Sequence, residues 1–537
     1  MTRNYDTDVL IIGGGPTGLT LALELSLQKI PFRIIDILPS RSPYSRAFAL
    51  HARSLELLSR HPNIVPQLTS RGTFNVSVKL FSNKKPIFEI ELGDTPFSDT
   101  VYPGPLFVSQ AVTEGVLDEA LGAYGGGVEW GVEAMKVEQD EEGVDVRLKR
   151  ADGTNETVRA KYVVGCDGAH SIVRKSAGLT FEGGVYPQDF ILADVKLKWE
   201  RNPNLHIFIG HYGLLAALPL SKTEGIFRLV CSRPFEKDTK TEPTMEDFRS
   251  ALKQHVPGEV EISDSVWMTR FKLHHRIASR YSEGRLFVAG DAAHIHSPVG
   301  GQGMNTGIQD SVNLGWKLAS VLRGESEDSL LDSYHLERHK VGLAILRGTD
   351  RVFEIMATTN PVLLWARNWF VPWVVPWILG DRQRRRVRMR FLSQLGIRYL
   401  GSPVVGSSRG WEGKLRGGNR AADGKLLGPG RNEETTLIGL LKGPGYHLFL
   451  FSGVGANAVG MNELGDAEQK LVDGNDRVTA HRILDGAEKS GKGFVDVDGN
   501  LHREYGFDRP GFVLVRPDAY IAFIGYTEEL DGPLTLA

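Results

Sequence analysis

The amino terminus of the chain combines an apolar run, a glycine-rich turn and a helical repeat in close succession. Val9–Ile12 is the apolar run, and Gly13-Gly14-Gly15-Pro16-Thr17-Gly18 follows it directly. Leucines then recur at four-residue spacing, which is typical of one face of a helix. A second apolar run, residues 31–35, ends at Asp36. The segment therefore predicts a strand, a tight turn, a helix and a second strand, which is how a parallel α/β sheet begins.

Each glycine of this turn has its own physical task in a dinucleotide-binding fold. Gly13 permits the tight turn, Gly15 lets the backbone approach a pyrophosphate, and Gly18 lets the helix pack closely on the strand. An acid at the end of the second strand can bind the ribose hydroxyls of adenosine. The glycine pattern alone also arises by chance, but the two strands and the acid favour dinucleotide binding. The candidate cofactor-binding residues of this segment are Gly13, Gly15, Pro16, Gly18 and Asp36.

A second glycine-rich segment lies at residues 285–310 and reads RLFVAGDAAHIHSPVGGQGMNTGIQD. Its first apolar residues predict a buried strand that ends in a turn exposing Asp291, whose carboxylate can accept hydrogen bonds from sugar-like hydroxyls. A helix is expected to begin near Met304, because apolar residues then recur at helical spacing. Its amino terminus favours developing negative charge, such as that on the pyrimidine edge of a reduced flavin. The alternative is that Gly290-Asp291 and the bend simply separate a strand from a helix.

Composition disfavours several classes of partner. The 537 residues, 41% of them hydrophobic, suggest about two to four domains. Lys and Arg number 63 against 65 for Asp and Glu, so the net charge of −2 gives no field to attract nucleic acid or an anionic membrane. Cys166 and Cys231 form neither a CxxC pair nor a metal-ligand cluster, which argues against a metal site and fits a reducing compartment. The amino terminus lacks the apolar core of a signal peptide, so cytoplasmic residence is expected.

The middle of the chain changes from one strand pattern to another. Alternating apolar residues at about 128–158 predict strands that lead into a buried strand and the turn Asp167-Gly168. Further alternating runs at 189–271 predict an antiparallel sheet inserted into the first fold. Polar residues on or between these strands are the first candidates for contacting a substrate oxygen. They are His206, His211, Tyr212 and Arg228.

Two other segments are interpreted as surface or packing elements. Residues 45–56 predict a loop entering a helix whose basic surface carries an Arg53 to Glu56 pair. Residues 365–379 are apolar, but they contain an arginine and an asparagine and are interrupted by two prolines, so they are too short to span a bilayer. A packed or interfacial element is expected there. The arginine-rich run at 382–390 is then a solvated face.

Three segments resemble, in the same order, the motifs of the class A flavoprotein monooxygenases, the family of para-hydroxybenzoate hydroxylase, phenol hydroxylase and the polyketide hydroxylases. They are the amino-terminal glycine turn, the Asp167-Gly168 segment and residues 285–310. The resemblance implies that Asp291 holds the ribityl chain of FAD, Pro298 lies over the reactive face of the ring, and Arg46 binds the pyrophosphate. It implies further cofactor contacts by Gln110, Asp167 and Gly301. It also implies that the backbone of Gly303, Met304 and Asn305 contacts the pyrimidine carbonyl of the flavin.

The resemblance also implies an architecture. The fold class is α/β, with a Rossmann-like FAD-binding domain, an inserted antiparallel-sheet substrate domain and a C-terminal thioredoxin-like domain. The expected ranges are 1–180 with 275–350 for FAD, 181–274 for the substrate sheet, 351–400 for a helical connector and 401–537 for the C-terminal domain. The last range contains no cysteine, so its expected role is structural or oligomeric and not dithiol chemistry.

The activity that the resemblance implies is a monooxygenation that consumes O2 and NAD(P)H, with NADPH favoured over NADH. A small aromatic or polyketide-like substrate would be hydroxylated through a flavin C4a-hydroperoxide, with His211, Tyr212 and Pro298 as the candidate catalytic residues. Phenol hydroxylase has a substrate-deprotonating aspartate where this chain has Phe48, which argues against simple phenols. The alternatives are Baeyer–Villiger oxygen insertion on a polyketide-like ketone, a flavin-binding protein without turnover, and a membrane-attached module. Stable membrane insertion is not expected, and a homodimer is compatible with the sequence.

Overall fold

The computed structural model describes residues 4–43, 47–74, 76–93, 97–199, 204–211, 213–221, 225–233, 242–358, 360–429, 433–455, 458–472, 475–486 and 493–529. Three eight-stranded sheets with helices packed on them organise these residues. The prediction of an α/β chain with several sheets is confirmed.

The strands of the first part of the chain are β1 (Thr7–Ile12), β2 (Phe32–Asp36), β3 (Ala49–Leu50), β4 (Ser77–Ser82), β5 (Lys85–Glu91), β6 (Leu106–Phe107), β7 (Glu129–Trp130), β8 (Val132–Gln139), β9 (Val144–Arg150) and β10 (Asn155–Gly165). The central strands are β11 (Phe181–Lys198), β12 (Leu205–Gly210), β13 (Gly213–Ser221), β14 (Ile226–Arg233), β15 (Glu261–Ala278), β16 (Ser282–Glu283), β17 (Leu286–Val288) and β18 (His294–Ile295). The last strands are β19 (Gly406–Ser407), β20 (Lys425–Leu427), β21 (Glu434–Thr436), β22 (Tyr446–Phe451), β23 (Val478–Asp485), β24 (Phe494–Asp496), β25 (Gly511–Val515) and β26 (Ile521–Tyr526).

The helices are α1 (Pro16–Leu27), α2 (Ala52–Leu58), α3 (Ile64–Arg71), α4 (Gln110–Ala123), α5 (Ile172–Ser176), α6 (Met245–His255), α7 (Gln302–Leu322), α8 (Ser329–Ala357), α9 (Pro361–Gly380), α10 (Arg382–Leu392), α11 (Met461–Val472) and α12 (Asn500–Tyr505). Helix α7 begins within two residues of the predicted start.

The first sheet has a parallel centre in the order β17, β10, β1 and β2. Strands that are buried on both faces are apolar throughout, and Val9, Leu10 and Ile11 of β1 are fully buried. Helices α1 and α7 pack on each other beside this sheet. Because parallel neighbours point the same way, β1, β10 and β17 end at one edge.

The second sheet has the order β18, β15, β11, β14, β13, β12, β4 and β5. Its long strands β11 and β15 connect it to the domain of the first sheet. Strands β4 and β5 also belong to this sheet, although residues 77–91 lie inside the range expected for the FAD-binding domain. One face packs against α6 through Phe248 and Leu252. The other face packs against Phe353 of α8.

Helix α9 corrects the expectation that prolines interrupt the apolar run. The helix continues through Pro372 and Pro376, because a proline removes one backbone donor without necessarily ending a helix. Among the described residues, α9 is the one helix with the length and composition of a membrane-crossing segment. It is also mostly exposed, so it is not a packed core element.

The third sheet has the order β19, β26, β25, β22, β23, β24, β20 and β21 and covers part of the first domain.

The contact between the third sheet's domain and α2 corrects the interpretation of α2 as a basic surface helix. Arg53 is fully buried, bonds Glu56 at 3.1 Å, and donates to the Asp518 carbonyl at 2.7 Å. Its guanidinium also lies 4.7 Å from the ring centre of Tyr520. Helix α2 is therefore an interface between two parts of the chain.

Candidate active site

The three glycine- and acid-containing motifs meet at one edge of the first sheet. Strand β1 ends beside Gly13, β10 ends beside Asp167, and β17 ends shortly before Gly290. Since these strands are parallel neighbours, the loops that follow them lie side by side. Ligands of open α/β sheets bind at this carboxyl edge.

The amino-terminal glycines lie where their small size is needed. Gly13 has φ +114°, and a Cβ added there would lie 2.3 Å from the Cys166 carbonyl oxygen. A Cβ added at Gly18 would lie 1.9 Å from the Gly13 carbonyl oxygen. At Gly15, which precedes α1, an added Cβ would meet no heavy atom within 4 Å among the described residues. The open space in front of α1 therefore fits a pyrophosphate that approaches the backbone of Gly15.

Asp36 lies at the end of β2, on the side of this edge where the adenosine of a dinucleotide is expected to bind. Its carboxylate accepts hydrogen bonds from the Gly14 N–H at 2.7 Å and the Leu38 N–H at 2.8 Å. These bonds fix the carboxylate beside the glycine turn, where its remaining lone pairs can accept from ribose hydroxyls.

Thr17 joins the amino-terminal turn to the central motif. A Cβ added at Gly290 would lie 2.4 Å from the Thr17 hydroxyl oxygen, and one added at Gly307 would lie 2.3 Å from it. Ser311 of α7 also donates to the Thr17 carbonyl at 2.7 Å. The two motifs expected to hold FAD therefore touch each other, so one cofactor molecule can reach both.

Asp291 stands in a short 3-10 turn at Gly290–Ala292 and is exposed. The turn is held from two sides. Asp310 accepts from the Gly290 N–H at 3.1 Å, and Arg174 donates to the Ala292 carbonyl at 3.0 Å. The carboxylate of Asp291 is thus placed by backbone bonds at the sheet edge.

Asp310 is the buried anchor of this turn. It bonds His294 at 2.7 Å and Arg338 at 2.7 Å, and all three side chains are fully buried. Burial alone would raise the pKa of Asp310, but the charge of Arg338 and the contact with His294 lower it overall. Asp310 therefore stays ionised and keeps the turn attached to α7 and α8.

The amino terminus of α7 faces the same edge without a side-chain cap among the described residues. Gly301 precedes it with φ +62°, a left-handed conformation that glycine adopts without strain. Uncapped N–H groups near Gly303 and Met304 are suited to an anionic or carbonyl oxygen of a ligand. The end of a 21-residue helix adds the positive side of its dipole.

Asn305 and His51 fix the chain beside that helix terminus. Asn305 accepts from the His51 N–H at 2.8 Å and donates to the Ala49 and Gly301 carbonyls at 2.9 Å. The His51 ring bonds the Gly300 carbonyl through Nε2 at 2.7 Å. Burial lowers the pKa of His51 to about 4, so this ring is neutral at pH 7. His51 and Thr17 were not predicted as site residues, because isolated polar residues beside a motif carry no pattern.

The neutral state of His51 makes the site sensitive to acid. An unfolded histidine takes up a proton near pH 6.5, whereas folded His51 does so only near its pKa of about 4. As the pH is lowered from 6.5 to 4, protonation of the unfolded state is therefore expected to lower the free energy of unfolding by up to about 1.4 kcal/mol per pH unit. Urea unfolding of a His51→Gln variant should show a slope against pH that is shallower by this amount. Between pH 7 and 8 the slopes of variant and wild type should coincide, and a difference there would contradict the assignment.

Two further predicted cofactor residues take defined positions. Gln110 begins α4, and its amide oxygen accepts from the Ala47 N–H at 3.1 Å, which fixes the chain next to Arg46. Asp167 accepts from the Ile172 N–H at 2.7 Å, while its second carboxylate oxygen is buried without a hydrogen-bond partner among the described residues. Burial raises the pKa of Asp167. Arg46 and Tyr212 lie outside the described residues.

The polar candidates of the second sheet separate onto different surfaces. His206 is buried against Phe81 and Phe208 on the face covered by α6, which removes it from the face toward α8. Arg228 lies on that other face, since residues alternate along β14. His211 is exposed in the turn after β12, with its ring nitrogen 3.5 Å from the Asn368 amide of α9.

Arg228 is the polar candidate that lies on the sheet face toward α8. It forms two bonds of 2.8 Å with the Asp194 carboxylate, and its guanidinium lies 6.0 Å from the Trp267 ring centre. Its second terminal nitrogen, Nη1, is buried without a hydrogen-bond partner among the described residues. A fixed guanidinium with one remaining donor can hold a carbonyl or phenolate oxygen.

The comparisons with known proteins agree with this geometry. Residues 6–349 match the FAD binding domain family. The chain is 33% identical over 525 residues to 6-methylpretetramide 4-monooxygenase of Streptomyces rimosus, covering 96% of this chain and 90% of that protein. It is 36% identical over 369 residues to pentachlorophenol 4-monooxygenase of Sphingobium chlorophenolicum, covering 66% of each. The solved structure of the anhydrotetracycline hydroxylase from Streptomyces rimosus has a TM-score of 0.72 at 28% identity, covering 98% of this chain and 96% of that chain.

Glycine turns and acidic residues at one edge of a parallel sheet fit a nucleotide cofactor. The matched family extends over more than half of the chain. The chain therefore belongs to the class A flavoprotein monooxygenases, and its cofactor is FAD. It is a flavin-dependent monooxygenase, so the alternative of a flavin-binding protein without turnover is set aside.

Proposed function

We propose that the enzyme uses NAD(P)H and O2 to hydroxylate an aromatic carbon of a phenolic or polyketide-like substrate. The contact of Thr17 with Gly290 and Gly307 carries the proposal, because it joins the two FAD motifs into one cofactor site beside a second sheet. The relatives named above act, by their names, on 6-methylpretetramide and on pentachlorophenol. Phe48, which stacks on Phe107 at 5.9 Å, leaves the position of the phenol hydroxylase aspartate apolar and favours the polyketide-like class.

The chemistry of oxygen transfer is supplied by bound FAD after its reduction, and the chain's own residues arrange it. N–H groups at the start of α7 stabilise negative charge that develops at a bound carbonyl oxygen. Asp291 holds hydroxyls of the cofactor, and Pro298 lies at the start of the glycine bend before α7. Neutral His51 fixes the Gly300 carbonyl and so keeps that bend in place.

The substrate is assigned to the α8 side of the second sheet. Arg228 and Asp194 form its buried polar pair, and Leu192 and Val230 extend the same face as apolar neighbours. We assign Arg228 Nη1 to a carbonyl or phenolate oxygen of the substrate, because a buried donor without a partner is costly until a ligand supplies one. His211, in the turn after β12, and Tyr212 remain predicted substrate contacts.

The remaining parts of the architecture support this assignment. We propose that the first sheet is Rossmann-like and that the third is thioredoxin-like. In the third sheet β22 pairs in parallel with β23 and antiparallel with β25, and β24 continues the parallel part. Residues 401–537 contain no cysteine, so this domain cannot carry out dithiol chemistry, and its expected role is structural or oligomeric.

The decisive experiment combines NAD(P)H consumption with product analysis. The purified protein loaded with FAD is mixed with phenols and with polycyclic polyketide-like phenols, and the consumption rate is compared for NADPH and NADH. A true substrate is expected to accelerate consumption and to give a product that gains one atom of labelled oxygen on an aromatic carbon. Labelled oxygen in a new ester would instead show Baeyer–Villiger insertion, and acceleration without any oxygenated product would refute both reactions for that compound.

Asp291→Ala is expected to weaken FAD retention without unfolding the protein. The carboxylate is exposed, and hydrogen bonds from hydroxyls to a charged group contribute about 1.5–3 kcal/mol, so the dissociation constant for FAD should rise roughly 10- to 100-fold. Fluorescence titration of the apoprotein with FAD measures this change. The exposed Glu119 of α4 offers a control, because Glu119→Ala removes a carboxylate far from the sheet edge. Equal FAD affinity in the Asp291 variant and wild type would remove Asp291 from the site.

A further inference from the structure

Helix α9 presents a ridge of tryptophans to solvent. Trp365, Trp369, Trp373 and Trp377 are between 61% and 75% exposed and recur at every fourth position. Residues at this spacing share one helix face, and the first two rings lie 6.5 Å apart and nearly parallel. Single exposed apolar side chains are ordinary, but four neighbouring exposed tryptophans form a contiguous apolar patch, and such a patch marks an interaction surface.

The ridge is held in a fixed orientation by the opposite side of α9. Arg367 is buried there and donates to the carbonyls of Met356 and Gly210. Asn360 caps the helix by accepting from the N–H groups of Val362 and Leu363. Because Arg367 is hydrogen-bonded to the second sheet, α9 lies along the protein surface with its tryptophans outward.

Helix α10 places positive charge directly beside this ridge. Residues 382–390 contain six arginines and no acid. Among the described residues, only Arg384 and Arg390 of these six form ion pairs, with Asp381 at 3.8 Å and Asp99 at 2.6 Å. Arg384 also lies 4.2 Å from the ring centre of Trp377, which joins the two helices into one surface. The net charge of −2 for the whole chain conceals this local excess.

We propose that α9 and α10 bind the enzyme peripherally to an anionic phospholipid surface. Tryptophan prefers the boundary between headgroups and acyl chains, and arginine binds lipid phosphates, so the two helices match both layers of such a surface. A second copy of the chain matches them less well. A two-fold contact through this patch would set one arginine run against the other, and like charges oppose association.

Vesicle binding of the full-length, FAD-loaded protein tests the proposal. Vesicles of phosphatidylcholine alone are compared with vesicles that also contain phosphatidylserine, by co-sedimentation and by tryptophan fluorescence. The protein is expected to bind the phosphatidylserine vesicles at least roughly tenfold more tightly, with a blue shift, and to be released by salt. A triple variant Arg382→Gln, Arg386→Gln and Arg388→Gln should bind these vesicles about 100-fold more weakly. Each of the three arginines is expected to strengthen binding to an anionic surface by a similar factor.

Matched variants separate this proposal from misfolding and from dimerisation. Arg147, Arg249 and Arg409 are exposed arginines elsewhere, and their triple replacement by Gln should leave vesicle binding unchanged. FAD content should be unchanged in both triple variants. Trp369→Ala with Trp373→Ala should abolish the blue shift on phosphatidylserine vesicles. Equal binding to both vesicle types, or a dimer that the tryptophan variants dissociate and that does not bind vesicles, would overturn the proposal.

Discussion

The Gly15→Ala variant is expected to fold like the wild type and to lose about 100-fold or more in FAD affinity. An alanine Cβ at this position meets no described atom within 4 Å, and the backbone angles of Gly15, φ −77° and ψ −174°, are open to alanine. The methyl group would instead occupy the space through which a pyrophosphate reaches the N–H groups of α1. Losing charge-assisted hydrogen bonds of about 1.5–3 kcal/mol, together with the steric conflict, accounts for the size of the effect.

Gly122→Ala in α4 is the matched control for this substitution. An added Cβ at Gly122 also meets no described atom within 4 Å, and alanine is favoured over glycine in a helix. Neither apoprotein should therefore unfold at a lower urea concentration than the wild type, while only the Gly15 variant binds FAD weakly in a fluorescence titration. A Gly15 variant that retains FAD as well as the Gly122 variant would place the pyrophosphate elsewhere.

Local patterns predicted the elements around the cofactor edge closely because their causes are local. The glycine turn, the buried strands and the starts of α1 and α7 depend on backbone conformation and spacing within about a dozen residues. The loops that carry the three motifs meet because their strands are parallel neighbours that share an edge. These features needed no knowledge of distant residues.

The features that local pattern did not predict depend on contacts far apart in the sequence. Arg53 is buried because residues 518–520 cover it, and a 465-residue separation leaves no trace in local pattern. His206 lies on the sheet face that α6 covers, and the pattern of its own strand does not decide which face that is. The pairing of β4 with β12 joins residues 77–82 to 205–210 for the same reason. Cofactor chemistry was therefore readable from the sequence, whereas the substrate side was not.

Glu337 lies at the centre of a buried network that fastens the C-terminal domain to α7 and α8. Arg516 donates to its carboxylate at 2.7 and 3.0 Å, Lys317 at 2.8 Å, Asn313 at 2.7 Å and Ser402 at 2.7 Å. Burial alone would raise the pKa of Glu337, but the charges of Arg516 and Lys317 lower it overall. Burial also lowers the pKa of Lys317 to about 8. The network thus holds Glu337 between two buried cations, and Arg516 also pairs with Asp518.

Glu337→Ala is expected to lower the free energy of unfolding by about 3–5 kcal/mol, because it leaves Arg516 and Lys317 buried without this carboxylate. Urea unfolding followed by circular dichroism and by tryptophan fluorescence measures the change. Glu468 provides the control, since its ion pair with Arg482 at 2.9 Å is about one-third exposed and Glu468→Ala should cost less than about 1 kcal/mol. Among the described residues, the side-chain hydrogen bonds of this network involve none of residues 285–310, so the folded variant should keep its FAD affinity below the unfolding transition. A loss no larger than that of the Glu468 variant would mean that apolar packing between the domains, and not this carboxylate, holds the C-terminal domain in place.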